Sequence, residues 1–502
     1  MLRDRFRILA AMAALAAILA AGGLSSRAQP AQPSHPWLVK SPLSASFQMA
    51  RAINAGILRP STGGEAIQPP ALKCKPRPCA LPNVRASRGP QPVNQTPMAV
   101  DPNAGNLLTA GNDYNCPSLQ GYYISVSGGA SWSRSCGTVA SGSTGGGGQP
   151  IVGWDLNEVA YRGGADMFSQ STSGIVVDKS TDLGATWSTP VIAARVFGLL
   201  MDKPWMEIDN NLASPFKNTI YVSATEVTNN NSNSRIAVTH SSDGGATWSL
   251  VNVDTLQIFP KVDQFSDLAI TDDGTVYVSW MRCTASGPTN DCGGTTASMW
   301  FSKSTNQGVT WSAPTMINNV DLAPDDCGAF YGCLPNTSIP VSNVPVIAVD
   351  NSASPTHGNL YVIEYTWRGF YMKTQVTVSS NGGSVWGSPI RVTPSSDTHD
   401  QFFAWINVAS NGTVGVSFLD RRNDQANIDY DAFSASSTNG GASYQDLQLS
   451  NVTSNPLNDG FGGSFLGEST GNGWGAGAKH MFAAWPDTRL GESQDEVGGL
   501  MP

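Results

Sequence analysis

From residue 97 onward, apolar or alternating runs of four to seven residues recur between clusters of Asn, Asp and Gly: 121–126, 174–177, 219–224, 235–239, 275–280, 359–365, 375–378 and 413–418. Runs of that length, rich in Val, Ile, Tyr and Trp and bounded by turn residues, predict β-strands. Residues 29–96 have a different texture. They are rich in Pro, Ala and Arg, show little periodicity beyond one expected strand at 43–49, and read as a linker or a loosely packed arm. Ahead of them, Arg3, Arg5 and Arg7 lead into a nearly unbroken run of Ala, Leu, Ile, Met and Gly from Ile8 to Leu24. This is the layout of an export signal spanning residues 1–28, with an N-terminal membrane anchor as the alternative for so long an apolar run.

The turns between the strands repeat. Ser241-Ser-Asp-Gly-Gly-Ala-Thr-Trp248 recurs as Ser180-Thr-Asp-Leu-Gly-Ala-Thr-Trp187 and Ser304-Thr-Asn-Gln-Gly-Val-Thr-Trp311, with looser copies starting at Ser125, Ser379 and Ser437. The six copies lie 55 to 75 residues apart, the spacing of a repeated supersecondary unit. In each, Asp or Asn is expected to fold its side chain back onto backbone N–H groups, Gly to take a positive φ, and the aromatic residue to pack where the next strand begins. These Asp residues read as structural.

The pattern Ser-x-Asp-x-Gly-x-Thr-Trp resembles the Asp-box (BNR) repeat of the sialidase-like β-propellers, over about residues 97–495. The resemblance implies an all-β propeller of four-stranded antiparallel blades at 97–502, each box lying between strands three and four. It orders 203–209, 219–224, 235–239 and 247–253 as one blade and 344–350, 360–365, 375–378 and 385–392 as another. Six boxes give six blades, the number in known sialidases. Residues 464–469 and 481–485 remain as strands one and two of a further blade, so seven is the expected count, completed by the arm before residue 97 or by the extreme C-terminus.

Composition agrees with export and argues against some partners. The formal charge is −9, and −12 once residues 1–28 are removed, which disfavours nucleic acid. The eight Cys fall into four close neighbours in sequence, 74 with 79, 116 with 136, 283 with 292 and 327 with 333, as local disulfides would. None has the two-residue spacing of a zinc knuckle, and the five His are scattered, so no metal and no cofactor are expected. There is no dinucleotide fingerprint, phosphate loop or Gly-x-Ser-x-Gly elbow.

In a propeller, the turns joining strands one to two and three to four share one face; the loops joining two to three, and four to the next strand one, share the other. Charge is expected on that second face: Arg162, Arg282, Arg368, Arg421, Arg422 and Arg489 near the ends of second strands, and Asp202, Asp263 and Asp400 entering first strands. Sialidases use three arginines around a carboxylate, a Tyr nucleophile activated by Glu, and an Asp acid. The resemblance implies Arg282, Arg368 and Arg489 as the clamp, Arg162 and Arg421 as further substrate contacts, and Asp202, Asp263 and Asp400 as candidate acids. It implies Tyr365 or Tyr161 as nucleophile and Glu226 or Glu364 as base. Glu364 and Tyr365 are adjacent in a strand and point to opposite sides, which favours Glu226. Glu468, beside Gly467, is a further candidate near the central channel. The early Arg-Ile-Pro motif of sialidases is absent.

The competing reading makes each entering Asp and each following Arg a structural ion pair, and the repetition of Asp-Gln-Phe at 263 and 400 points that way. Trp205, Trp280, Trp300, Trp367 and Trp405 fit either sugar stacking or the gaps between blades. Two functions follow: a secreted sialidase-like exo-glycosidase acting on carboxylate-bearing glycans, or a non-catalytic extracellular glycan- or protein-binding propeller. Either is expected as a monomer acting on extracellular polysaccharide or glycoconjugate, without nucleic acid and without membrane insertion once the signal is gone.

Overall fold

The repeated turns fold as their residues require. In the computed structural model, which describes residues 37–62, 78–228, 230, 232–288, 290–394 and 396–501, all six turns share one hydrogen-bond scheme. In the copy at 241, Ser241 Oγ donates to Asp243 Oδ1 at 2.8 Å and accepts from Gly245 N at 2.9 Å. Asp243 then accepts from Thr247 N at 2.9 Å and Thr247 Oγ1 at 2.6 Å. Gly245 has φ 83°, where a side chain would be strained. The Thr hydroxyl and backbone donors hold Asp182 and Asp243 down to about 2, so both stay ionised in these exposed turns.

Each turn joins the third and fourth strands of a four-stranded antiparallel sheet, and seven such sheets form a propeller. Numbered along the chain, blade 1 begins with the split strand Val93–Asn94 and Met98–Val100. Blades 2 to 7 begin with Gly145–Trp154, Leu199–Ile208, Lys261–Ile270, Val346–Val349, Gln401–Val408 and Gly471–Trp474. The alternation of side chains along each strand makes the blades stack. In Val276–Thr284 of blade 4, Val276, Val278 and Trp280 pack with Ile236 and Val238 of blade 3, while Tyr277 and Met281 join the cluster holding Val346 and Leu360 of blade 5. Each fully buried Val contributes about 1.5–3 kcal/mol, and no blade can bury both faces alone.

Both ends of the chain complete the ring. Blade 7 takes its first two strands from Gly471–Trp474 and Met481–Asp487, its third from the C-terminal Gln494–Met501, and its fourth from Cys79–Arg85 of the arm. Cys79 pairs with Met501 and Arg85 with Glu496 in that outer ladder. The first strand expected at 464–469 is displaced: that segment is irregular and buried, and Gly467, at φ 86°, passes so close to Gln95 that a Cβ would stand 2.5 Å from its backbone N. The strand expected at 385–392 shrinks to Ile390–Arg391.

The strand expected at 43–49 is instead the start of helix Ala45–Asn54. Ser44 caps it by accepting from Phe47 N, and Ala45, Met49 and Ala52 fall on one stripe that packs on Trp37 and Phe465. Phe47 packs with Leu43, Ala165, Met167, Leu200 and Val227 of blades 2 and 3. No helix among the described residues is long and apolar enough to cross a membrane. The segment expected to be an export signal, and Cys74, lie outside the described residues.

Disulfides join Cys116 to Cys136, Cys283 to Cys292 and Cys327 to Cys333. Loop-closure entropy scales with the enclosed chain, so a Cys116→Ala/Cys136→Ala variant should lose about 3 kcal/mol in urea unfolding and a Cys327→Ala/Cys333→Ala variant about 2 kcal/mol. Peptide mapping of the unreduced protein should recover the three pairs.

Candidate functional site

First strands line the central channel, and most are broken near their start. Blades 2, 3, 4 and 6 carry a β-bulge there, with Gln149, Lys203, Phe265 and Phe403 at φ 50–61°. In blade 1, Gln95 at φ 61° separates the two halves of the strand. Bulges re-aim side chains, and left-handed non-Gly residues cost about 1–3 kcal/mol, so their recurrence at one level of the ring marks a built feature. At this level Gln95, Gln149, Asp202 and Gln264 meet in a polar neck at the end of the channel opposite the repeated turns.

The neck is occupied by the arm. Asp202, fully buried, accepts from Ser44 N and Ser44 Oγ at 2.6 Å each, Gln149 Nε2 at 2.6 Å and Gln264 Nε2 at 2.8 Å. Glu468 accepts from Ala45 N at 2.9 Å, Ser46 N at 3.1 Å, Ser46 Oγ, and Ser342 Oγ at 2.8 Å, and Lys203 Nζ lies 3.4 Å away. The carbonyl of Pro42 accepts from Gln264 Nε2 and Tyr331 Oη at 2.7 Å each. Two carboxylates thus meet the N-terminus of the helix, where free N–H groups and the helix dipole favour negative charge. Burial pushes Glu468 up, but Lys203, Ser46 and Ser342 outweigh it and hold the carboxyl below its ordinary range. For Asp202 burial wins over its hydrogen bonds and the pKa is raised, while burial lowers that of Lys203.

Tyr365 completes this group. Its hydroxyl is buried with no hydrogen-bond partner, and burial together with the Glu468 charge raises its pKa well above the ordinary value. Asp202 and Glu468 thus share Lys203, which sequence reasoning had not singled out, and Tyr365 lies in the field of Glu468.

The other candidates are held apart, each in its own blade. Arg282 forks onto Asp263 at 2.6 and 2.8 Å and also reaches Asp254. Arg421, fully buried, donates to Asp400 at 3.1 Å and to the Pro335 carbonyl at 2.9 Å. Asp400 also accepts from Met372 N and Asn427 Nδ2. Arg235 holds Glu226 at 2.6 Å, and Arg489 forks onto Asp487 at 2.8 Å from both nitrogens. Arg422 bridges Asp420 and Asp446. Arg162 lies two residues into its strand, at the end nearer the repeated turns, where it forks onto Asp178 at 2.7 and 3.0 Å under the ring of Trp187. Arg368 alone of these arginines is exposed and forms no ion pair among the described residues. The two Asp-Gln-Phe runs are not equivalent: the left-handed residue is Phe265 in one and Phe403 in the other, so the runs sit one residue out of register.

At the opposite end the channel is open, as a cavity of about 440 Å³ lined by first strands of all seven blades. Trp205 of blade 3 and Trp405 of blade 6 meet across it with ring centroids 4.0 Å apart. They are structurally equivalent, each the first paired residue after its bulge and opposite Ser223 and Ser417 respectively. In blade 4 the same position, opposite Ser279, is Asp267. Asp267 accepts from Ile347 N at 2.8 Å through Oδ2, while Oδ1 is buried and unpartnered. Glu207, two residues beyond Trp205 and so on the same side of the strand, also lines the cavity. Burial first, and then the neighbouring carboxyls, push Glu207 up to about 8; burial alone drives Asp267 to about 8. Neither was singled out from sequence, where the shifting offset from the bulge hid the equivalence of Trp205, Asp267 and Trp405.

No family model and no curated protein matches the chain. Among solved structures, an ulvan lyase titled as a new family of polysaccharide lyase aligns at TM-score 0.50 and 10% identity, covering 81% of this chain and 93% of its own. A Hadza microbial sialidase aligns at TM-score 0.43 and 13% identity over 82% of this chain, which spans 66% of the sialidase chain. An α-L-arabinanase of Penicillium chrysogenum complexed with arabinobiose aligns at 0.43 and 13%, over 70% and 92% of the two chains. The likeness to the ulvan lyase is one of fold alone.

Two outcomes test this geometry. Arg282→Ala strands the buried Asp263 carboxylate and should cost about 3 kcal/mol in urea unfolding, whereas Arg368→Ala should change stability by less than about 0.5 kcal/mol. Glu207 and Asp267 keep their protons to about pH 8 when folded but lose them near 4 when unfolded. Their contribution to stability is therefore complete below pH about 4 and is lost as pH rises through 8. The melting temperature should fall from pH 5.5 to 8.5, and a Glu207→Gln/Asp267→Asn variant should fall less.

Proposed function

We propose that the protein is a non-catalytic, extracellular glycan-binding propeller. The observation that carries this reading is the sealed neck: on the face where a sialidase-like enzyme would take its substrate, Asp202 and Glu468 are saturated by N–H and O–H donors of the arm. Arg282, Arg421 and Arg489 are spent on Asp263, Asp400 and Asp487, leaving no three-arginine clamp for a sugar carboxylate. The same face keeps contact groups that bind without chemistry. Arg368 and Phe370 are exposed in the hairpin following Leu360–Trp367, and Phe197 and Ile258 are exposed in loops between blades. The ulvan lyase acts, by its name, on a polysaccharide, which puts polysaccharides first in a ligand screen. The disulfides and the export signal read from sequence support an extracellular setting.

One observation favours a second reading, a hydrolase released when the arm leaves: Tyr365, Glu468 and Asp202 lie together beneath it. Affinity electrophoresis across acidic and neutral polysaccharides, paired with turnover of acidic aryl glycosides, separates the two. The intact protein should be retarded by at least one polysaccharide and turn over none of the glycosides. Turnover by the intact protein overturns the proposal. Turnover confined to a Ser44→Ala/Ser46→Ala variant, whose arm is held less tightly, supports the released hydrolase instead.

A further inference from the structure

The open end of the channel has a chemistry that the arm-filled end lacks. Its lining includes Trp154, Trp205, Trp405 and Trp474, and its only charged residues are Asp101, Glu207 and Asp267; no Lys, Arg or His lines it. Asp101 is committed to its own turn, accepting from Asn103 N at 2.9 Å and Asn106 Nδ2 at 2.9 Å. Glu207 makes no hydrogen bond with the described residues, and Asp267, 2% exposed, has an oxygen without a partner. Asp267 is deep with one oxygen unmet, which is costly unless something outside the chain supplies a partner, and the half-buried Glu207 opens onto the same space.

We propose that this cavity binds a small organic ammonium ion, with Glu207 and Asp267 as counter-ions and the Trp205–Trp405 pair as an aromatic floor. Three observations select that chemistry. An anion, including any carboxylate-bearing sugar, would meet three acids and no cation. A neutral ligand makes no use of a lining whose charged groups are all of one sign. An ammonium ion gains both: a cation over Trp faces is attracted by the ring quadrupole, most strongly where water is displaced, and a paired carboxylate needs no protein donor. The volume, about 440 Å³, is within the range of small-molecule pockets and ample for a quaternary ammonium group. None of Gln149, Asp202, Gln264 and Glu468 lines the cavity, so the site does not depend on whether the face bearing the arm binds glycans.

Binding must move protons. The groups that act on Glu207 are Asp267 and Asp209, and Asp101 lies across the channel; all are acidic, so nothing in the chain draws the pair's protons off at neutral pH. A bound ammonium ion does, and each proton displaced makes affinity rise about tenfold per pH unit below pH 8.

The test is calorimetric titration of the disulfide-intact protein with choline, with its neutral carbon isostere 3,3-dimethyl-1-butanol, and with arabinose. Choline should bind at least tenfold more tightly than the isostere. Its affinity should rise at least tenfold from pH 6 to 8, and its heat should vary with buffer ionisation enthalpy as proton release requires. Glu207→Gln/Asp267→Asn, checked by circular dichroism, should lose at least tenfold of the choline affinity and the proton release. If that variant does not fold, Trp405→Leu should weaken choline more than the isostere while proton release persists. Equal affinity for the isostere, preference for arabinose, choline binding without proton release, or no choline binding at millimolar concentration each overturns the proposal.

Discussion

The whole loop face depends on how two buried carboxylates are satisfied. Asp202 and Glu468 sit where the first strands bend, and neither is matched by an arginine. A buried carboxylate costs several kcal/mol unless donors surround it. Here the donors come from elsewhere in the chain: Ser44 acts on Asp202 across 158 residues of sequence, and Ala45 on Glu468 across 423. The helix starts where it does because its first N–H groups are needed there. With the helix in place, Phe47 closes over blades 2 and 3, and Trp37 and Met49 close over Phe465. The arm is a structural member of the propeller, and Lys203 is, among the described residues, the cation paired with Glu468 in the neck.

Ring closure is a second use of the same segment. A propeller assembled only from consecutive meanders would leave its last blade short. This chain supplies the outer strand of blade 7 from Cys79–Arg85 and the adjacent one from its C-terminus. The arm thus enters the ring twice, once at the axis through Ser44 and Ser46 and once at the rim.

The repeated turn was legible because it is local: every donor and acceptor in it falls within about seven residues, so side-chain type and spacing determine it. Blade count followed from those turns and from the leftover apolar run at 481–485. The arm was illegible for the opposite reason. Ser44-Ala-Ser46 looks like filler between Pro-rich stretches, and the carboxylates that make it a capped helix are remote in sequence. Asp-Gln-Phe misled in another way. Identical triplets at 263 and 400 suggest equivalent positions, but the bulge falls at Phe265 in one and Phe403 in the other, so Asp263 faces Arg282 across the ladder while Asp400 lies outside the paired register. A one-residue shift changes the face of every side chain, and sequence identity over three residues cannot reveal it.

The same shift explains why the channel has two ends of different character. After the bulges of blades 3, 4 and 6 the strand resumes, and its first paired residue lines the cavity; blades 3 and 6 place Trp there, and blade 4 places Asp267. Two indoles from blades on opposite sides of the axis then meet across the channel. Above them Asp202, Glu468 and Gln264 find partners in the arm, so the neck is filled. Below them lies the open cavity, where Asp267 Oδ1 remains without a donor. Packing therefore leaves acidic groups facing open space at the end bordered by the repeated turns, while the face that the glycosidase analogy points to is the one the protein has closed with its own chain.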